Sequence, residues 1–222
     1  MFFKRSYEPE MLDDFSIQDE TVDGALKELK IINSFLGGND ISGEGIKMLN
    51  IRDSKISVLD VGAGASDILV NLNKKTNNFE IYTIDINRRA CIYLKKNSPD
   101  IKVICGNVKS LPLKMPFDIV HSSLFFHHFT EKQIKEIIIN LLGLSVKGIV
   151  INDLRRSIIA WLGIKILTTL FSNNKAVKYD GPLSVKRAFI HKDWIDILSD
   201  IVPGKYEIKR RWAFRWLIVI YK

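Results

Sequence analysis

Apolar positions near the start of the chain recur at steps of three and four, which is the period of an amphipathic α-helix. Gly37 and Gly38 follow this stripe and predict the end of the helix, because glycine accepts a left-handed C-terminal cap. Ser42 is expected to cap a second short helix through about Leu49. The stripe consists of Val22, Ala25, Leu26, Leu29, Ile32 and Leu36.

From Ile56 onward the pattern changes to short, nearly continuous apolar runs, which are typical of strands buried on both faces. Helical patterns separate them, and the clearest covers 131–142, where Thr130 and Gln133 form a capping box. Alternating strands and helices predict a parallel sheet with right-handed crossovers. The five runs are 56–61, 80–85, 101–105, 117–123 and 148–153.

The last third has a different pattern. It predicts an apolar helix over about 157–171, a loop over 172–190 and a short helix around Trp194. Residues 205–212 and 214–222 form two predicted strands that are joined so tightly that they must be antiparallel. The predicted fold is α/β, a doubly wound and mostly parallel seven-stranded sheet with a C-terminal antiparallel hairpin.

Composition fits one globular domain of 222 residues, of which 46% are hydrophobic. Two cysteines are too few for a disulfide scaffold. The chain has neither the apolar region of a secretory signal at its start nor an 18-residue apolar run. We therefore expect a soluble, cytoplasmic protein.

The formal net charge of +8 suggests a nucleic-acid partner, but its distribution weakens that suggestion. Residues 147–222 hold 15 basic and 6 acidic side chains, whereas residues 1–50 hold 5 basic and 10 acidic ones. All four tryptophans also lie in the last third. The positive charge therefore belongs to one end of the chain.

The sequence VLDVGAGAS (58–66) lies where the first strand passes into a helix. Gly62 and Gly64 allow a tight turn and a close approach of a ligand to the backbone. Asp85 ends the next strand, where a carboxylate accepts the hydroxyls of a ribose. A dinucleotide and S-adenosylmethionine both fit this pattern. Asp60 and Asp67 favour S-adenosylmethionine, because Asp60 would repel a pyrophosphate and Asp67 replaces the third glycine of the dinucleotide motif.

These segments, with IDIN (84–87) and FDIVHSSLFFHHF (117–129), resemble the class I S-adenosylmethionine-dependent methyltransferases with a Rossmann-like fold. The small-molecule branch that includes quinone C-methyltransferases is the most similar. Residues 8–20, 32–38, 151–157 and 179–189 also resemble a bacterial subfamily that often accompanies polyketide or flavoprotein oxygenase genes.

The resemblance implies one methyltransferase domain over 1–222. Within it, residues 1–52 form a helical lid, 53–153 the cofactor-binding core and 154–222 the substrate-side helix, loop and hairpin. S-Adenosylmethionine is the implied cofactor and S-adenosylhomocysteine the product. The implied cofactor-binding residues are Asp60, Gly62, Ala63, Gly64, Asp85, Ile86, Asn107 and Val108. Ser122 and Ser123, at the end of the fourth strand, are further candidates: they either bind the amino-acid end of the cofactor or have a capping role.

Methyl transfer from a sulfonium is an in-line displacement, and a base is needed only when the acceptor carries a proton. His127 follows the fourth strand and is the first candidate, because a histidine with a pKa of about 6.5 accepts a phenol proton at neutral pH. The alternative is a histidine that only braces the loop. The same two interpretations apply to His121 and His128. Asp13 and Asp14, on the predicted lid, either close over the cofactor or form a solvated acidic turn.

The substrate side is expected to include His128, Arg155, Trp161, Asp180 and Arg187. Arg155 and Arg156 follow the fifth strand and either anchor an anionic substrate or form surface salt bridges. Leu162, Ile166 and Phe171, together with Trp161, predict an apolar wall for an aromatic or prenylated acceptor; a plain core helix is the alternative. The histidines and cysteines show no metal-ligand spacing, so no metal is expected.

The leading hypothesis is a methyltransferase that modifies oxygen or carbon of a small apolar or aromatic acceptor. One alternative is an RNA methyltransferase, although the fourth strand lacks the Asn-Pro-Pro-Tyr type of motif. Another is a non-catalytic cofactor-binding protein, or a protein that contacts a membrane surface through KRRWAFRW (209–216). The oligomeric state is left open.

Overall fold

A computed structural model describes residues 4–51, 55–111, 113 and 115–222. The helices are α1 (Glu20–Phe35), α2 (Gly38–Met48), α3 (Asp67–Thr76), α4 (Arg88–Asn97), α5 (Glu131–Leu144), α6 (Ile158–Phe171), α7 (Lys175–Arg187) and α8 (His191–Ile201). The strands are β1 (Ile56–Val61), β2 (Phe79–Asp85), β3 (Lys102–Cys105), β4 (Phe117–Ser123), β5 (Ser145–Leu154), β6 (Tyr206–Arg211) and β7 (Arg215–Tyr221).

The seven strands form one sheet in the order β3-β2-β1-β4-β5-β7-β6. The first five are mutually parallel, and β7 is antiparallel to both β5 and β6. The winding direction reverses between β1 and β4, so the loops at their carboxyl ends diverge and leave a crevice. The predicted doubly wound sheet and its antiparallel hairpin are confirmed.

Apolar side chains cover both faces of the sheet. On one face α5 and α8 pack through Ile134, Ile138 and Trp194, which are fully buried. On the other face α2, α3 and α4 pack through a second cluster that includes Leu69 and Leu94. The capping box of Thr130 and Gln133 is present at the start of α5, as predicted. Burial on both faces explains the consecutive apolar residues in the middle of β1 and β4.

Two local predictions are wrong. Ser42 lies inside α2, because Gly37 in a left-handed conformation (φ 74°) turns the chain directly from α1 into α2. The predicted loop 172–190 contains α7, which the side chain of Asn174 caps and which tolerates Pro182 in its interior. Gly181 and Pro182 suggested a loop, but burial of the apolar face of α7 outweighs their low helix propensity.

Within the part of the chain that the structure describes, no helix combines the length and the apolar character needed to cross a membrane.

We expect Gly45→Ala to lower the free energy of unfolding by about 1–3 kcal/mol. A Cβ at this position would lie 2.5 Å from Val150 Cγ1 and 2.8 Å from Leu217 Cδ1, so α2 would have to move off the sheet. Urea denaturation measures the change. Gly143→Ala is the matched control, because a Cβ there meets no atom within 4 Å and alanine favours a helix by about 1 kcal/mol. An unchanged midpoint for the Gly45 variant would contradict this packing.

Candidate active site

A cavity of about 720 Å³ opens at the carboxyl ends of the parallel strands, between α1, α6 and the β6–β7 turn. Its lining is mostly apolar, with a few polar groups at defined places. Such a combination is typical of a small-molecule site. The predicted site residues that line it are Gly62, Gly64, Asp85, Ile86, Asn107, Val108, His127, His128 and Asp180.

The glycine loop after β1 depends on two left-handed residues, Gly62 (φ 65°) and Gly64 (φ 50°). A Cβ on Gly62 would lie 2.0 Å from Phe125 Cδ2, so only glycine allows this ring to approach the loop. The amide of Gly64 donates a 2.8 Å hydrogen bond to Asp85 Oδ2. The loop and the end of β2 are thereby held together at the floor of the cavity.

Asp85 is held by two backbone donors, Gly64 at Oδ2 and Asn87 at Oδ1, each at 2.8 Å. Burial raises the pKa of this carboxyl above its ordinary value, while the two hydrogen bonds act in the opposite direction. Each oxygen keeps a second lone pair. Asp85 is therefore fixed in position and still able to accept hydrogen bonds from a ligand.

Beside Asp85 the cavity has an open, partly apolar end. Ile86 exposes its side chain, and Val108 lies buried in a 3₁₀ turn. The side-chain oxygen of Asn107 caps that turn by accepting the amide of Lys109 at 2.9 Å. Ile86, Asn107 and Val108 all line the cavity at this end.

Asp60 lies behind the cavity wall. Its carboxylate accepts the hydroxyl of Ser66 at 2.6 Å and bonds His121 Nδ1 at 2.7 Å. His121 Nε2 lies 2.9 Å from Ser42 Oγ, which in turn receives a bond from Asn152. Asp60 and Ala63 are not among the residues that line the cavity. Asp60 therefore holds the glycine loop through Ser66, which stands at the start of α3.

Arg215 lines the cavity and was missed in the sequence analysis, where it was one of many basic residues of the hairpin. It is fully buried, and burial lowers its pKa to about 10. Its guanidinium donates to the amide oxygens of Asn152 and Asn33, but forms no ion pair with any described carboxylate, and its Nε has no partner. The sequence signal for a buried role was that Arg215 is the single basic residue of the otherwise apolar strand β7.

The two adjacent histidines each bond a carboxylate. His127 Nδ1 lies 2.7 Å from Asp153 Oδ1, and its backbone amide donates to Asp153 Oδ2. Burial by itself would raise the pKa of Asp153, but the charge and hydrogen bond of His127 hold it below the ordinary value. His128 Nδ1 lies 2.7 Å from Asp13 Oδ1. Both imidazoles are thereby oriented with Nε2 toward Glu10.

Glu10 lies between the two imidazoles, with Oε1 3.7 Å from His127 Nε2 and Oε2 4.0 Å from His128 Nε2. Burial raises the pKa of Glu10 to about 7, and its Oε1 makes no hydrogen bond. The three facing atoms lie within 4.8 Å of one another, a spacing that a divalent cation can bridge. Arg187 Nε, 3.7 Å from Glu10 Oε1, already supplies a positive charge there.

Asp180 and Arg187 hold the N-terminal segment in place. Asp180 accepts the amides of Met11 and Leu12 at 2.7 and 3.1 Å. Arg187 donates to Asp13 Oδ2 at 2.6 Å and to the backbone oxygens of the two histidines. Both side chains were expected on the substrate side. Arg187 does not line the cavity. Its guanidinium is occupied by these hydrogen bonds and is not directed at a substrate.

Four further predicted site residues lie outside the cavity lining. Ser122 is fully buried and donates to the backbone oxygen of Val61, while the hydroxyl of Ser123 is buried without a hydrogen-bond partner. Arg155 lies over the ring of Phe214, and Trp161 contacts Lys165 and Lys186. The cavity side of α6 presents Ile159, Ala160, Gly163, Ile164 and Leu167 instead. Helical periodicity predicts the faces of α6 but not which of them turns inward.

Comparison with known proteins gives both a family match and structural neighbours. The family model of a methyltransferase domain matches residues 58–146. A search of curated proteins found no match.

The solved structures that resemble the chain include three methyltransferases, each in complex with cofactor or its product. Plantazolicin methyltransferase BamL, with SAH and a triazolic desmethylPZN analog, is 19% identical with a TM-score of 0.66, covering 90% of this chain and 78% of its own. BpumL with the same type of ligands is 16% identical with a TM-score of 0.71, covering 94% and 92%.

Human N-acetylserotonin methyltransferase with SAM is 15% identical with a TM-score of 0.67, covering 98% of this chain and 60% of its own. At these identities the likeness establishes the fold. The methyltransferase domain model thus matches the central part of the chain, and the fold is shared with these solved methyltransferase structures.

Proposed function

We propose that this enzyme transfers the methyl group of S-adenosylmethionine to oxygen or carbon of a small, apolar or aromatic acceptor. One observation carries the proposal: a single cavity has the Gly62–Gly64 loop and Asp85 at one end, the Glu10, His127 and His128 cluster beside them, and an apolar wall around both. A nucleoside and an apolar acceptor can therefore bind side by side in the same cavity.

The cofactor end is assigned from the geometry of the groups that line it. Asp85 accepts the ribose hydroxyls, and Ile86 with Asn107 and Val108 holds the adenine. The methionine part lies along the glycine loop. Arg215 binds its carboxylate, because a buried guanidinium without an ion-pair partner is stabilised most by an anion. Asp60 acts indirectly, through Ser66 and the loop.

The transfer is an in-line displacement in which the carbon–sulfur bond breaks as the bond to the acceptor forms. The electron pair of the broken bond stays on sulfur, which becomes the neutral thioether of S-adenosylhomocysteine. When the acceptor is a hydroxyl, its proton passes to His127 Nε2. Asp153 holds the other ring nitrogen in its protonated form and stabilises the imidazolium that results.

The nature of the acceptor follows from the rest of the lining. Leu29, Leu36, Ile164 and Leu167 form an apolar wall, and Phe129 adds an aromatic ring. Such a wall favours an acceptor with an aromatic head or a hydrocarbon part. The structural neighbours BamL and BpumL contain analogs of a peptide-derived substrate together with SAH. A nucleic-acid acceptor has no comparable support in a lining of this kind.

Residues 1–52 are predicted as the lid, beside a cofactor core over 53–153 and a substrate side over 154–222. Within that range we propose that residues 4–17 act as the lid. Glu10 and Leu12 line the cavity, and Asp180 and Arg187 hold this segment through hydrogen bonds to its backbone. Release of these bonds opens the site for exchange of product and cofactor.

The cytoplasmic location stays a prediction, with which the free thiols of Cys91 and Cys105 are compatible. The oligomeric state likewise stays open.

We expect Asp85→Ala to weaken binding of S-adenosylhomocysteine by about 10- to 100-fold, because the ribose loses its acceptor and Gly64 its partner. Isothermal titration calorimetry measures the dissociation constant without any acceptor. Asp100→Ala is the control, since Asp100 is exposed and distant from the loop. Absence of binding by the wild-type protein would refute the proposed function.

For His127→Asn we expect a fall in kcat of about 10²- to 10⁴-fold with a hydroxyl acceptor, and unchanged affinity for S-adenosylhomocysteine. Radiolabelled methyl transfer to a panel of phenols, hydroquinones and long-chain hydroxy acids supplies the assay. His191→Gln, which changes an exposed histidine, is the control and should keep full activity. Equal activity of the His127 variant and the wild type would show that this residue only braces the loop.

We expect Glu10→Gln to make the protein less sensitive to alkaline pH. The folded-state pKa of Glu10, about 7, exceeds the ordinary 4.5, so its stabilisation is complete below pH 4.5 and is lost as the pH rises through 7. The stability of the wild type relative to the variant should therefore fall by about 2–3 kcal/mol between pH 4.5 and pH 8. Urea denaturation of both proteins at several pH values tests this; a constant difference would contradict it.

A further inference from the structure

Helix α6 exposes an apolar surface that no described element covers. Phe171 is 79% exposed, and Ile158, Ile159, Leu162, Ile166 and Leu170 are exposed as well. The opposite side of the helix lines the cavity and packs on α7. A helix that is apolar on all sides is normally buried on all sides, so an exposed face of this kind indicates a binding surface.

Two neighbouring elements extend this surface. At the end of α1, Ile31 and Phe35 are exposed, and Trp212 in the β6–β7 turn is 76% exposed. A Cβ on Gly37 would lie 3.6 Å from Trp212 Cδ1, which places the indole beside the end of α1. We call the exposed apolar residues of α6, with Ile31, Phe35 and Trp212, the outer apolar face.

The outer apolar face borders the mouth of the cavity. Ile159 and Trp212 line the cavity, yet each exposes more than half of its side chain, so both stand at the opening. Leu36 lines the same space from α1. Whatever covers the outer apolar face therefore also meets the entrance to the acceptor end.

The charge on α6 and at the end of the β6–β7 hairpin is positive. No Asp or Glu occurs between Asp153 and Asp180, or after Glu207. Exposed basic residues accompany the apolar ones on the same elements, and two nearby carboxylates are already engaged: Glu28 accepts the hydroxyl of Ser172, and Glu44 pairs with Arg211. The basic residues are Lys27, Lys30, Lys165 and Arg210.

We propose that the outer apolar face docks on an anionic lipid bilayer. Apolar side chains flanked by lysine and arginine match the acyl boundary and the charged headgroups of such a surface. With 14 residues, α6 is about 21 Å long, shorter than the roughly 30 Å hydrocarbon layer, so it lies in the plane of the interface. Trp212 occupies the headgroup level, where indole rings are favoured.

Docking in this orientation brings the cavity mouth to the lipid. An amphiphilic acceptor then passes from the bilayer into the cavity between Ile159 and Trp212 without crossing water. This step rests on the proposed function, because it assumes an acceptor with a hydrocarbon part. The docking itself does not depend on it.

Vesicle co-sedimentation tests the docking. The purified chain is mixed with vesicles of phosphatidylcholine alone, or with about 30% phosphatidylglycerol, at about 0.1 and 0.5 M salt. We expect binding to the anionic vesicles to be at least about tenfold stronger and to fall at high salt. The variant Ile166→Ser/Leu170→Ser should lose about tenfold of this affinity.

The control variant is Ile139→Ser, which removes an exposed isoleucine from α5, away from the face; it should bind as the wild type does. Trp212→Phe should reduce the blue shift of tryptophan fluorescence on binding. Trp194 and Trp216 are buried already, and the remaining shift comes from Trp161, which is partly exposed on α6. Calorimetry with S-adenosylhomocysteine, run on every variant, separates failure of docking from failure of the proposed function.

Three results would overturn the proposal: no vesicle binding, equal binding by the α6 double variant, or a dimer in light scattering that the double variant dissociates while vesicles bind neither protein. The last result would assign the outer apolar face to a second copy of the chain.

Discussion

The candidate active site depends on the hold that α7 has on the N-terminal segment. Asp180 accepts two consecutive backbone amides of that segment, and Arg187 bridges it to the histidine turn. Without these bonds the burial of Glu10 and Asp13 at the cavity wall would be unfavourable, because burying carboxylates costs free energy unless partners compensate them. The two residues of α7 thus assemble a cluster to which they contribute no reacting atom.

That cluster concentrates charge in an otherwise apolar cavity. The carboxylates of Asp13 and Asp153 pair with the imidazoles, whereas Glu10 faces both rings without a hydrogen bond at Oε1. In a low-dielectric site an ionisable group of this kind responds to small changes in its neighbours. Arg215 has the complementary property at the cofactor end, since it is a buried cation held only by amides. Each end of the cavity therefore carries a group that a bound ligand stabilises.

Helix α6 lies between the cavity and the exposed surface of the protein. One side forms the cavity wall, and the other is an exposed apolar surface beside basic residues. If both sides serve the same acceptor, the unusual composition of this helix has a single explanation. An acceptor with a hydrocarbon part needs an apolar path from its source to the reacting methyl group, and α6 provides that path on its two faces.

The sequence by itself determined the fold class, the strand and helix order and the glycine loop with Asp85, because these follow from local periodicity and from short-range turn chemistry. It did not determine α7, where packing outweighs Gly181 and Pro182, or the inward face of α6. Tertiary structure alone decided that Glu10 meets His127 and that Arg215 enters the cavity. These residues are distant in sequence, and only burial in a common cavity gives them their partners and their shifted pKa values.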